Sequence, residues 1–293
     1  MVYQGFVPLD HLPRCCKEHL ARDILAGPDH TPLGTKRLMS KITVWLPKQY
    51  GAWAMLLAPA LTGALLAGFK WQNGLLMAAW VTAYLGFMAV RGAISGRQRK
   101  LYAVVTTVYW TAAGLMIIGL LLWRVALVWW AVPLVVLLGA ALALITTGHE
   151  RSAVNDACLI GASCLMTAIS ATCLRLTASI SWSGFVTAVL VPTAWVATAI
   201  MAGYFWGTIP YIKTMIRQRG SKSWYIGSVV YHLGMVGLAC LTMNAWLVAF
   251  SVLVTARAAV VPKLWPRAKP KFIGIGEMTG TVMIILIICL TRL

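Results

Sequence analysis

The chain has 293 residues, of which 60% are hydrophobic and only 11% charged, so a water-soluble domain would have more apolar surface than one core could bury. Lys and Arg outnumber Asp and Glu by 25 to 7, which gives a formal net charge of +18. These basic residues lie in short stretches beside apolar segments and form no separate basic domain with interleaved aromatic residues, so nucleic-acid binding is not predicted.

Residues 1–40 differ from the rest of the chain. They contain several prolines and mixed charges, and no apolar run is long enough for a signal peptide. We predict a polar, disordered leader over 1–40 and a transmembrane domain over 41–293. An alternative is that translation starts at Met39 and that the leader is not made.

Nine apolar segments follow, and a membrane-spanning helix needs about 20 such residues because lipid offers the backbone no hydrogen bonds. We therefore predict an all-α, polytopic helical bundle. Two divisions depend on small features: Arg124 interrupts one long apolar run, and a polar turn at Met243 and Asn244 interrupts another. The predicted spans are 52–69, 74–90, 102–122, 125–146, 157–174, 185–206, 224–242, 244–261 and 272–290.

The Lys and Arg residues fall mainly on alternate loops, which predicts the orientation of the bundle. Cytoplasmic loops carry the excess of basic residues in membrane proteins. The loops after predicted helices two, four, six and eight are basic, whereas the opposite side receives only Lys70, Arg124, Arg175 and Arg292. The N-terminus is therefore predicted inside and the C-terminus outside.

Only three acidic residues follow position 40, namely Glu150, Asp156 and Glu277. A carboxylate at the centre of a spanning helix costs about 2.5–3.5 kcal/mol on insertion scales, so each needs a compensating partner. Glu277 lies a turn or two into the last helix. It is either a carboxylate paired with a cation at the membrane interface or a site residue that faces an internal cavity. Gly274 and Gly276 would let a neighbouring backbone or a ligand approach closely.

The polar stretch from His149 to Asp156 has two interpretations. Its charges are either solvated loop residues, with Asp156 favoured by the helix dipole, or Arg151, Asn155 and Asp156 rim a polar cavity. Farther along, Lys213 and Arg217 are four residues apart on one helical face and repel each other unless an anion lies between them or they point into water.

Three further positions are weaker candidates. His232, inside an apolar segment, is more typical of a buried hydrogen-bonding residue than of a ligand. Lys48 and Trp53 alone would be interfacial anchors. Together with Pro47 and Gly51 they form a more specific pattern than anchoring requires.

Five motifs occur in the order seen in bacterial YwiC-like membrane proteins, and the chain after residue 40 resembles that family. The family's usual pattern has His where this chain has Tyr50. The resemblance implies a multi-pass protein of the bacterial cell membrane and supplies candidate positions, but no substrate. The motifs are Pro47-Lys-Gln-Tyr-Gly-Ala-Trp-Ala-Met-Leu56, Glu150-Arg-Ser-x-x-Asn155, Tyr211-Ile-Lys-Thr-Met-Ile-Arg217, Tyr231-His232 and Lys269-Pro-Lys271-x-x-Gly-Ile-x-Glu277.

The predicted architecture also resembles the UbiA superfamily of intramembrane prenyltransferases. Those enzymes hold a prenyl diphosphate through Mg²⁺ bound by aspartate-rich loops after helices two and six. The corresponding loops here contain Lys and Arg but neither Asp nor Glu, so a metal-bridged site is not carried over. Lys and Arg can still bind a phosphate or carboxylate directly, without a metal ion.

Three functions stay open: a cytoplasm-facing intramembrane cavity for a lipid-linked or amphipathic anion, in a divergent transferase or a non-catalytic relative; a small-anion transporter; and an assembly subunit without a substrate. Membrane lipid is the expected partner, and neither a cofactor nor a metal site is predicted. The candidate anion-binding residues are Lys48, Arg91, Arg151, Lys213 and Arg217. The candidate catalytic or orienting residues are Asn155, Asp156 and Glu277, and the other candidates are Tyr50, Trp53, Glu150, His232 and Lys271.

Overall fold

The computed structural model describes residue 45, residues 50–95 and residues 99–291, with the backbone alone at residues 50, 51 and 95. The predicted leader with Met39, the candidate Lys48 and the side chain of Tyr50 lie outside this description. Within it, the chain is helical and contains no strand. The ten α-helices are α1 (Tyr50–Leu66), α2 (Trp71–Ser95), α3 (Arg99–Trp123), α4 (Ala131–Thr146), α5 (Ala153–Thr172), α6 (Trp182–Val189), α7 (Pro192–Ile212), α8 (Lys222–Leu241), α9 (Ala245–Leu264) and α10 (Pro270–Thr291).

These helices confirm the predicted all-α membrane bundle. Seven helical segments are long and apolar enough to cross a membrane, and the bent pair of α6 and α7 makes an eighth if it counts as one span. The apolar part of α1, Ala52–Leu66, is shorter than the others. The total of nine spans and their orientation therefore stay predictions.

Both small features that divide long apolar runs in the sequence lie at helix ends. Arg124 separates α3 from a short 3₁₀ helix, Val125–Trp130, that leads into α4. Asn244 caps α9 by accepting a hydrogen bond from the backbone N–H of Leu247 at 2.9 Å. This side-chain acceptor satisfies one of the free amides of the first helical turn, so α9 begins at a defined residue.

Two glycines end helices in the left-handed region. Gly68 has φ 77° and Gly148 has φ 79°. The residue after each donates its N–H back into the helix, from Phe69 to the Ala64 oxygen at 2.9 Å and from His149 to the Leu144 oxygen at 2.8 Å. This pattern stops α1 and α4 with little strain, because glycine has no Cβ to clash.

The segment predicted as one helix over 185–206 is instead broken. α6 ends at Val189, α7 starts at Pro192, and the two axes differ by 69°. The reason lies in the sequence Val191-Pro192, because proline disfavours a helical conformation in the residue before it and is well placed in the first turn of a helix. Apolarity alone did not reveal this break.

Helix α5 is the centre of the bundle. In its most apolar window 56% of the residues are buried, compared with 17–33% in the other six long spans. Small residues let α1 approach it closely, and a Cβ added at Gly63 would overlap the backbone oxygen of Thr167. The first turn of α5 therefore brings Asn155 and Asp156 against neighbouring helices.

Candidate functional site

One polar network joins α2 to the start of α5. Arg91, near the end of α2, forms an ion pair with Glu150 in the turn before α5. Asn155 donates from Nδ2 to the backbone oxygen of Glu150 at 2.8 Å, and Ser152 caps α5 by accepting from the backbone N–H of Asn155 at 3.0 Å. Asn155 is buried and its Oδ1 has no hydrogen-bond partner among the described residues.

The same network reaches the end of α7. A π-helical turn, Lys213–Arg217, follows α7. Asp156 Oδ2 lies 3.6 Å from Lys213 Nζ and 3.7 Å from Arg217 Nη1. Lys213 is only 7% exposed and also donates to the backbone oxygen of Arg151 at 3.0 Å. The aligned cations thus share a carboxylate of the chain itself, which offsets their mutual repulsion.

A second charged cluster lies between α9 and α10. Arg257 Nη1 forms an ion pair with Glu277 Oε1 at 2.8 Å. Tyr204 of α7 donates to the backbone oxygen of Glu277 at 3.1 Å and lies 3.3 Å from its Oε2. The Arg257 guanidinium also stacks over the Tyr211 ring, 4.3 Å from its centroid. Glu277 therefore has the cationic partner that a buried carboxylate needs.

Arg257 and Glu277 lie at the same distance from the neighbouring ends of their helices. Arg257 lies seven residues before the end of α9 at Leu264, and Glu277 lies seven residues after the start of α10 at Pro270. At 1.5 Å per residue the pair is about 10 Å from the helix ends. Arg257 Nε and Nη2 are buried and have no hydrogen-bond partner among the described residues. Two donor groups of this guanidinium are therefore unsatisfied within the described structure.

A cleft of about 920 Å³ lies beside this pair, between the end of α9, the linker to α10 and the start of α10. Arg257, Arg267 and Lys269 line it, and no acidic residue is in its lining among the described residues. The rest of the lining is mainly apolar and includes Leu264, Trp265 and Phe272. We call this the basic cleft. Its composition suits a molecule with an anionic head and an apolar body.

The remaining candidates do not line the basic cleft. His232 is buried in α8, with Nδ1 2.6 Å from the backbone oxygen of Ser228. Trp53 is half-buried in α1, and Arg151 and Lys271 are exposed. Among the described residues, no group of three or more His, Cys, Asp or Glu side chains is placed to hold a metal ion.

The sequence alone indicates Glu277 as a candidate site residue but does not indicate the residues that contact it. In the sequence, Arg257 is one of the basic residues that predict the orientation of the bundle. It also interrupts the apolar helix α9, and an ionisable residue inside a span is itself a pointer to a site. Arg267 belongs to the same basic set, and Lys269 also begins the last of the five motifs. Tyr204 and Tyr211 carry no local signal that separates them from other aromatic residues of an apolar helix.

Comparisons with known proteins agree with the motifs. Residues 46–171 match the family model described as YwiC-like protein. The uncharacterized protein YwiC of Bacillus subtilis is 28% identical over 246 residues, which cover 84% of this chain and 97% of that protein. An uncharacterized protein of Haemophilus influenzae is 25% identical over 190 residues, which cover 64% of this chain and 74% of that protein. No solved structure matches the chain. The chain is therefore similar to the YwiC-like protein family, over residues 46–171 by the family model and over most of its length by the Bacillus subtilis protein.

Proposed function

We propose that this YwiC-like membrane protein binds a lipid-linked or amphipathic anion in the basic cleft, on the cytoplasmic side of the bacterial cell membrane. The observation that supports the proposal is the combination of Arg257, Arg267 and Lys269 with apolar walls in one cleft. The cations would hold the anionic head by charge-assisted hydrogen bonds, and the walls would hold the apolar part.

The proposal keeps the ligand class expected from the sequence and changes the residues that bind it. Arg91 is engaged with Glu150, and Lys213 and Arg217 are engaged with Asp156. Arg267 and Lys269 have no carboxylate within 4 Å among the described residues. Their positive charges are thus better placed to attract an external anion.

Native mass spectrometry with lipid identification tests this proposal on protein purified gently from its own membrane. We expect an anionic amphiphile to be retained by the unmodified protein and lost from Arg267→Gln/Lys269→Gln. A matched control, Lys100→Gln/Lys222→Gln, removes the same charge from exposed positions outside the cleft and should retain the ligand. Equal retention by all three proteins would overturn the proposal.

A second candidate function is that of an assembly subunit without a substrate. It is favoured by one observation: Glu150, Asp156 and Glu277 each pair with a cation of the chain itself. Under this alternative the charged clusters only hold helices together. The mass-spectrometry experiment would then find no ligand that depends on the cleft.

A further inference from the structure

The charges of the basic cleft indicate how many negative charges its ligand carries. Arg257 is balanced by Glu277, whereas Arg267 and Lys269 add two positive charges with no carboxylate within 4 Å among the described residues. A head group with one negative charge would leave one of them uncompensated. A phosphate monoester carries about −1.5 to −2 at pH 7 and would balance both.

The hydrogen-bond donors of the cleft lead to the same head group. Arg257, Arg267 and Lys269 all line the cleft, and their side chains are two guanidinium groups and one ammonium group. A terminal phosphate offers three strong acceptor oxygens, one for each cationic side chain. A phosphodiester has only two unesterified oxygens and a single charge.

The rim of the cleft points to a ligand that comes from the bilayer. Leu264, Trp265 and Phe272 line the cleft and are 63%, 62% and 65% exposed. They lie where α9 and α10 meet the basic linker, which is the depth expected for lipid head groups under the predicted orientation. Large apolar side chains exposed beside cations suit the boundary between acyl chains and phosphates.

We propose that the basic cleft selects a phosphate monoester carried by a membrane lipid over a lipid phosphodiester. This inference rests on the proposed function and specifies the head group for the same site. The shared chemistry is a terminal phosphate, which a lipid or free inorganic phosphate could supply.

The test uses the full-length protein in nanodiscs of phosphatidylcholine with either phosphatidic acid, a phosphomonoester lipid, or phosphatidylglycerol, a phosphodiester lipid. A third sample contains phosphatidylcholine and phosphatidic acid together with millimolar inorganic phosphate. Retained lipid is counted by native mass spectrometry after release from the nanodisc. We expect retention of phosphatidic acid to exceed that of phosphatidylglycerol by about tenfold or more, with the preference lost in Arg267→Gln/Lys269→Gln and kept in Lys100→Gln/Lys222→Gln.

The outcomes separate this inference from the proposed function. Equal, cleft-dependent retention of both lipids would overturn the head-group preference and leave amphiphile binding intact. Retention that does not depend on Arg267 and Lys269 would overturn both. Displacement of phosphatidic acid by millimolar inorganic phosphate would contradict a lipid source, because the apolar part would then add nothing to binding.

Discussion

Arg257 and Glu277 form the most buried ion pair of the described structure, with side chains only 20% and 11% exposed. Such a pair gains little relative to apolar residues of the same size, but loss of one partner leaves a buried charge without compensation. The pair is therefore a sensitive point for stability. It also fixes the guanidinium that lines the basic cleft.

Glu277→Gln should destabilise the protein by roughly 3–5 kcal/mol, because Arg257 would remain charged and buried. The double variant Arg257→Gln/Glu277→Gln should lose less free energy of unfolding than the single variant Glu277→Gln. Thermal unfolding in detergent, monitored by differential scanning fluorimetry, measures the order of stability of these variants. Asp156→Asn is the control and should cost less, because the Asp156 side chain is 31% exposed. A Glu277→Gln variant as stable as the unmodified protein would contradict this account.

At the scale of single residues, the sequence predicts carboxylates better than their partners. Only three acidic residues follow position 40 in a long apolar sequence, so Glu277 and Asp156 can be proposed without a structure. Arg257 is one of 25 basic residues, and its pairing with Glu277 depends on how α9 and α10 pack. Spacing along the chain contains no information about that contact.

At the scale of helices, close packing of α1 against α5 holds the centre of the bundle. Gly63 permits this approach, and the Ser163 hydroxyl of α5 donates to the backbone oxygen of Met55 in α1. Without a hydrophobic driving force between helices in lipid, such small-residue contacts supply much of the association energy. α1 is therefore fixed to the bundle although its apolar stretch is short.

Gly63→Ala should destabilise the protein by about 1–3 kcal/mol, because the new methyl group would overlap the α5 backbone at Thr167. Gly119→Ala is the matched control. A Cβ at Gly119 meets nothing within 4 Å, so it should be neutral or stabilising by up to about 1 kcal/mol. Thermal unfolding of the two variants measures the difference, and equal melting temperatures would refute the packing argument.

The ends of helices can be predicted from the sequence where a single polar residue interrupts an apolar run. The breaks at Arg124 and at Asn244 coincide with helix ends. Apolarity does not predict the bend before Pro192, because the apolar sequence continues through it, although Val191-Pro192 is a local signal for such a break. The π-helical turn at Lys213–Arg217, whose two end residues contact Asp156, has no comparable signal in the sequence.

At the scale of the whole molecule, the number of spans decides on which side the C-terminus lies. If α1 spans the membrane and the bent pair counts once, there are nine spans and the two termini lie on opposite sides; eight spans would place them on the same side. The positive-inside pattern favours nine. The UbiA-like arrangement likewise stays a prediction from architecture.

Reporter fusions test the topology. Alkaline phosphatase fused after Leu293 should be active and green fluorescent protein fused there should be dark, because the C-terminus is predicted outside. Fusions after Gly220, in the basic turn that follows α7, should show the reverse. A fluorescent C-terminal fusion would contradict the predicted nine-span orientation.

The most direct measurement for the central claim, that the basic cleft binds an amphipathic anion, is a cryo-electron microscopy map of the protein in native lipid with a bound antibody fragment. We predict an elongated density whose head contacts Arg257, Arg267 and Lys269 and whose body follows Leu264, Trp265 and Phe272. A cleft filled by the protein's own side chains, or one without ordered density, would contradict the claim.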